Sequence, residues 1–138
     1  MPDEIAWTEQ VQGALLRFAS AAAPRECAVL VGGERREHAT WITDLVELPN
    51  VARGDDAFEV PPAAFVRAEQ QLAARGAPFV GFAHSHPRGS CAPSLRDREQ
   101  LWTDCVQLIT DGRRIEAFWL TAGRAVRPLR LRVAEASR

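Results

Sequence analysis

Phe79-Val80-Gly81-Phe82-Ala83-His84-Ser85-His86-Pro87 is the stretch on which the reading of this chain turns. Its side chains alternate with the period of a β-strand, which places Val80, Phe82, His84 and His86 on one face. Two apolar residues hand over to two imidazoles just where Pro87 stops the strand. Histidines at i and i+2 on one strand face can converge on a single metal ion, and neutral imidazole is a common zinc ligand. Taken alone, the pair fits a metal-free core or surface equally well. It gains weight because the chain has only 3 histidines. The third, His38, stands apart and is expected at the surface or lining a pocket.

Downstream, residues 88–93 form a loop rich in Gly, Ser and Pro, and Ser94 opens a helix that runs to about Trp102. Ser94-Leu95-Arg96-Asp97 has the form of a capping box, and an acid in the first turn suits the helix dipole. The same geometry gives the Asp97 carboxylate a defined direction, which a metal ligand needs. His84, His86 and Asp97 would then make a two-nitrogen, one-oxygen set with a fourth tetrahedral position open, the catalytic rather than the structural arrangement. Cys91 is a possible thiolate ligand five residues past His86, or simply a small loop residue. The zinc-deaminase pattern and the HExxH pattern are both absent. Glu26, at the start of a buried-type strand, reads on position alone as a strand-end carboxylate facing water.

Working outward, apolar residues near helical spacing predict a helix over residues 7–22, with Thr8 a possible cap and Pro24 beyond its end. Residues 26–31 predict a short buried strand stopped by Gly32-Gly33, and residues 38–48 a second strand. Residues 49–56 read as a polar loop, and Phe58-Glu59-Val60 as a possible short strand. Pro61-Pro62 starts a helix that Gly76 ends. The last strands are expected at residues 106–110, 115–121 and 125–133, with turns at Asp111-Gly112 and Ala122-Gly123. This order predicts one α/β (α+β) domain over residues 1–138, a mixed sheet flanked by helices.

Composition bounds the function. With 46% hydrophobic and 25% charged residues the chain is of ordinary globular type, and a net charge of -1 offers no general field for nucleic acid. All 17 basic residues are arginine, so no side-chain amine can accept an isopeptide-linked tag. Arg127, Arg130 and Arg132 crowd the last strand, either as a solvated face or as a patch steering an acidic partner. The 3 cysteines, irregularly spaced, do not form a disulfide framework and favour a reducing, cytoplasmic compartment. No signal peptide and no apolar run of membrane-spanning length is expected. Oligomeric state is not legible.

The joint spacing resembles a known family. His84-Ser85-His86-Pro87, six residues, Ser94, two residues and Asp97 is similar to the JAMM (MPN+) metallopeptidase signature, in the compact prokaryotic (JAB domain) form. Pro24-Arg25-Glu26-Cys27 before Val29-Leu30-Val31-Gly32 resembles that family's catalytic-glutamate strand, with Ala28 where the family often has glycine. The resemblance implies a JAB/MPN fold of cytidine-deaminase-like architecture. It implies that His84, His86 and Asp97 hold Zn2+, that Glu26 is the general base, and that Ser94 hydrogen-bonds the oxyanion. It further implies a peptidase or isopeptidase acting after the Gly-Gly tail of a ubiquitin-like or sulfur-carrier protein. Such a tail could bind as an added strand beside residues 58–60 or 125–133. Two other readings stay open: a non-catalytic scaffold on the same fold, and a zinc hydrolase of another small amide.

Overall fold

The computed structural model describes residues 2–135. Its elements run β1 (Glu4–Thr8), α1 (Glu9–Ala22), β2 (Ala28–Arg35), β3 (Ala39–Leu48), α2 (Pro62–Ala74), β4 (Phe79–Ser85), α3 (Leu95–Gln100), β5 (Val106–Thr110), β6 (Ile115–Leu120) and β7 (Val126–Ala134). The seven strands follow one another around a closed, mixed barrel in the order β1-β3-β2-β4-β5-β6-β7. β4 pairs with β5 in parallel and with β2 antiparallel, so the strand that carries the histidines sits between two neighbours.

β1 was not expected as a strand. The helix begins at Glu9 rather than Trp7, with Thr8 Oγ1 accepting from Val11 N at 3.3 Å as its cap. The five residues of β1 staple the sheet shut by pairing in parallel with both β3 and β7. Ile5, Ala6 and Trp7 are all fully buried, so no polar alternation marks the segment as strand rather than helix. β7 is consequently paired on both sides and is not a free edge. Residues 58–60 form no strand, although Val51 N donates to Glu59 O across the loop. Neither expected docking edge therefore exists in the form anticipated.

β2 also differs from expectation. It starts at Ala28, leaving Glu26 just outside, and runs through Gly32-Gly33 to Arg35. The glycines do not stop it, because they are where neighbouring backbone comes too close for a side chain. A Cβ on Gly33 would collide with the Trp41 carbonyl, and one on Gly81 with the Val106 carbonyl. The register against β4 shifts between Val31 and Gly32. This irregularity turns Val80 away from the face it was expected to share: Val80 and Ala83 join the cluster under α1, whereas Phe79 and Phe82 pack towards α2.

The main core lies between α1 and the sheet, where Leu15 and Ala19 meet Val29, Val31, Ile42 and Leu108. On the opposite face α2 lays Ala68 and Leu72 on Ala28, Leu30 and Leu48. Burying each such aliphatic side chain contributes about 1.5–3 kcal/mol. Helices thus cover both faces of a mixed sheet, as expected, with the sheet curled until its edges meet. α3 is shorter than expected and ends at Gln100. Among the described residues no helix is long and apolar enough to cross a membrane.

Candidate metal centre and its cleft

The two histidines are positioned by backbone ladders on either side. His84 lies opposite Ala28 of β2 and Ile109 of β5. Between the two imidazoles, Ser85 points the other way: its N donates to Cys27 O at 3.1 Å and its Oγ accepts from Cys27 N at 2.7 Å. His86 N donates to Thr110 O at 2.8 Å. The strand end that carries the imidazoles is thereby locked to both neighbours.

The imidazoles meet Asp97 from the first turn of α3. His84 Nε2 stands 3.1 Å from His86 Nε2 and 3.3 Å from Asp97 Oδ2. His86 Nε2 stands 3.1 Å from the same oxygen. Ligand atoms about 2.0–2.1 Å from a tetrahedral zinc are separated from one another by about 3.3–3.4 Å. The three separations are therefore close to the edge lengths of such a tetrahedron, and the donor set fits the metal. The capping box holds the carboxylate in place: Ser94 N donates to Asp97 Oδ2 at 3.0 Å, and Asp97 N donates to Ser94 Oγ at 3.1 Å. Both readings of the Ser94–Asp97 motif thus describe one object.

Glu26 supplies a second carboxylate. Ligand-type atoms of Glu26, His84 and His86 all lie within 4.8 Å of one another. Two acids therefore flank the same pair of imidazoles, and the closer one is Asp97, in direct contact with both rings. Among the described residues the Glu26 side chain forms no ion pair or hydrogen bond; its backbone carbonyl accepts from Asn50 Nδ2 at 2.9 Å.

The electrostatics separate the two acids. Burial pushes the Glu26 carboxyl up to about 7, partly countered by His86. Burial would also raise Asp97, but hydrogen bonds from His84 and His86 hold it well below the usual carboxylate range. One acid is thus a fixed anion and the other exchanges a proton near neutrality. Burial lowers His84, which keeps its ring neutral as a ligand requires, while the contact with Asp97 raises His86.

The histidines differ in what orients them. His86 Nδ1 donates to Ser90 O at 2.9 Å, which leaves Nε2 with a free lone pair. His84 Nδ1 is buried with no hydrogen-bond partner among the described residues. Its ring is set instead by packing, with the Phe58 ring centroid 4.8 Å away.

The cluster opens into a cleft of about 640 Å³. Glu26, Ser94 and Asp97 line it, together with Phe58, Phe65, Phe82 and Trp102. Phe65 and Trp102 lie 5.0 Å apart by ring centroid, and Phe82 and Trp102 5.2 Å, so the far wall is aromatic. Arg96 and Asp56 also line the cleft. The Ser94 hydroxyl accepts from Asp97 N and keeps its own proton to donate. All five side chains singled out in the sequence, Glu26, His84, His86, Ser94 and Asp97, come together here.

Other candidates lie elsewhere. Cys91 is buried with its thiol donating to Arg114 O at 3.4 Å, outside the cluster. His38 is exposed, between Asp3 and Glu37. Arg132 pairs with Glu4 at 3.3 Å and, with Arg36, flanks the Trp41 ring. The sequence reading placed residues 58–60 only as a possible strand beside a bound tail and gave Asn50 no role; a phenylalanine and an asparagine in a loop carry no spacing signal of their own.

The chain belongs to the prokaryotic JAB family, described as prokaryotic homologs of the JAB domain, which matches residues 8–130. It is 33% identical over 121 residues, 86% of this chain and 74% of the relative, to a Thermus thermophilus protein named "Probable TtuB-protein conjugate cleaving protease". It is 35% identical over 97 residues, 67% of this chain and 68% of the relative, to a Haloferax volcanii protein named "Desampylase". The fold superposes with a TM-score of 0.86 on a solution structure from Desulfitobacterium hafniense, at 22% identity over 96% of this chain and 94% of the other. With a JAB1/MPN domain protein from Archaeoglobus fulgidus the TM-score is 0.59, at 21% identity over 96% and 99% of the two chains.

Proposed function

We propose that this chain is a single-domain zinc metallopeptidase, cytoplasmic in location, that hydrolyses the amide bond following the Gly-Gly tail of a ubiquitin-like or sulfur-carrier protein. The observation that carries the reading is the convergence of two imidazoles and Asp97 at ligand spacing, with Glu26 beside them and Ser94 on the same cleft. The two relatives named for cleaving TtuB conjugates and for desampylation support the substrate class.

His84, His86 and Asp97 hold the metal in this reading. When bound there, zinc polarises a substrate carbonyl and makes water acidic enough to attack at neutral pH. Glu26 takes the proton of the attacking water and passes it to the departing amine, a task suited to a carboxyl lifted towards neutrality. The Ser94 hydroxyl donates to the oxygen of the tetrahedral intermediate, where charge develops. Phe58 and Phe82 line an apolar cleft that limits water around the reacting bond. Glycines at the end of the tail allow the backbone to approach the cluster closely.

The deciding experiment incubates the purified protein with Gly-Gly carriers bearing C-terminal extensions, with and without chelator, and reads products by intact mass. Cleavage after the second glycine, abolished by chelator and restored by zinc, is the expected result. Partner binding without cleavage, insensitive to chelator, overturns the reading in favour of a scaffold. Cleavage of small amides alone reassigns the substrate.

A further inference from the structure

We propose that Asn50 is a positioning residue for this reaction, a single amide that fixes the backbone of Glu26 and the aromatic wall of the cleft as one unit. The inference rests on the reading of Glu26 as general base and adds a residue to it.

Asn50 follows β3 at the root of the loop that leads to α2. Its Nδ2 donates to Glu26 O at 2.9 Å and to Ala57 O at 3.1 Å. Its Oδ1 accepts from Ala52 N at 3.0 Å and from Glu59 N at 2.9 Å. Two donated and two accepted bonds are the full capacity of a side-chain amide. A surface loop asparagine ordinarily makes one such bond to its own turn. Here the amide closes the loop on itself through residues 52, 57 and 59, and ties the closed loop to residue 26. Arg25 adds a second tie, its guanidinium donating to Ala52 O.

Both ends of this clamp reach the site. Glu26 lies just ahead of β2, is buried, and has no side-chain hydrogen bond among the described residues, so its carboxyl is placed by where the backbone starts the side chain and by the packing around it. Ala57 and Phe58 line the cleft, and Phe58 packs on the His84 ring. Misplacing a catalytic group by about 1 Å can lower a rate by about 100-fold. Removing the amide frees the base and the wall together, while the backbones of His84 and His86 stay held by β2 and β5 and Asp97 by the capping box.

The test uses Asn50→Ala and Asn50→Asp, each in the parent chain and in a Glu26→Gln background, on a Gly-Gly carrier with a C-terminal extension. Asn50→Asp keeps both acceptor bonds to the loop and loses both donor bonds, so it remains informative if Asn50→Ala folds poorly. The expected result, with zinc present in excess, is a kcat lowered about 10–100-fold with little change in KM and full zinc occupancy. In the Glu26→Gln background the same substitutions cost far less, because the group they align is already gone. Equal losses in both backgrounds, or losses that follow the folded fraction or the zinc content, overturn the proposal. Amide exchange gives a readout free of activity: Asn50→Ala speeds exchange at Ala52 and Glu59 at least about 10-fold and leaves β2 and β4 protected. Unchanged exchange at these amides removes the clamp. If the parent chain cleaves no tailed carrier, the reading of its function fails, and the positioning role falls with it even where exchange confirms the clamp.

Discussion

The two walls of the cleft are built by different means. The wall that carries His84 and His86 is continuous with the barrel, β4 being paired on both sides, and Asp97 is joined to it by the cap of α3 and by its contact with both imidazoles. The wall that carries Phe58 belongs to a loop with no strand of its own, held chiefly by one asparagine amide and one arginine, with a single backbone bond from Val51 N to Glu59 O across it. Opening the first wall means breaking sheet ladders, whereas opening the second means breaking a few side-chain bonds. Local stability differs accordingly, and the segments that must admit a ligand are drawn from the weaker end. The division suits a site whose ligand atoms must stay fixed while a polypeptide tail enters beside them.

The sharpest way to break the comparison is to remove a ligand from the fixed wall. Asp97→Asn retains a capping residue of similar shape but loses the anion between the two imidazoles. Stoichiometric zinc is expected to be lost and cleavage to become undetectable, with the barrel intact by circular dichroism. Full zinc occupancy in this variant, measured by metal analysis, would falsify the assignment of Asp97. Glu26→Gln is the matching change in the group that stands free. It is expected to lower kcat by about 100- to 10,000-fold, with zinc content and melting temperature close to the parent's. A loss of zinc there would make Glu26, rather than Asp97, the third ligand, which its position within 4.8 Å of both histidines makes a real alternative.

Ser94 tests whether the cap and the chemistry can be separated. Ser94→Gly costs only a few tenths of a kcal/mol as a cap, yet removes the only hydroxyl that lines the cleft among the described residues. Cleavage is expected to fall about 100-fold or more while the melting temperature barely moves. A fall in activity no greater than the fall in folded protein would return Ser94 to a purely structural role.

The unequal construction also explains what could be read beforehand. The fixed wall was legible because its parts have periods: two histidines on a strand, a serine and an acid three residues apart at a helix start. The order of helices and strands from α1 to β7 was legible for the same reason. β1 was not, because its three central residues are fully buried and its partners lie more than 30 and more than 120 residues away. Nor could barrel closure be foreseen without β1, which is why the last strand read as a free edge. Gly32-Gly33 read as a stop signal because glycine breaks strands in general; only the approach of the Trp41 carbonyl reveals them as the condition for continuing. The form of the loop wall was not legible, because residues 58–60 read as a strand and much of the loop's order comes from one amide meeting four backbone groups.

The smallest effect is expected at the contact between the two walls. Phe58 packs on His84, whose Nδ1 has no hydrogen-bond partner among the described residues to orient the ring. His86, with its bond to Ser90 O, has no such dependence. Phe58→Ala should therefore loosen one ligand and spare the other. Changing what orients a metal-bound histidine typically weakens metal binding by about 10- to 100-fold. The lower end is expected here, because β2 and β5 still hold the His84 backbone. Competition with a chelator of graded strength measures it, and Phe58→Leu, which refills most of the space, should recover most of the loss. If zinc affinity is unchanged in Phe58→Ala, the loop contributes nothing to the ligand geometry, and the two walls are independent as well as differently made.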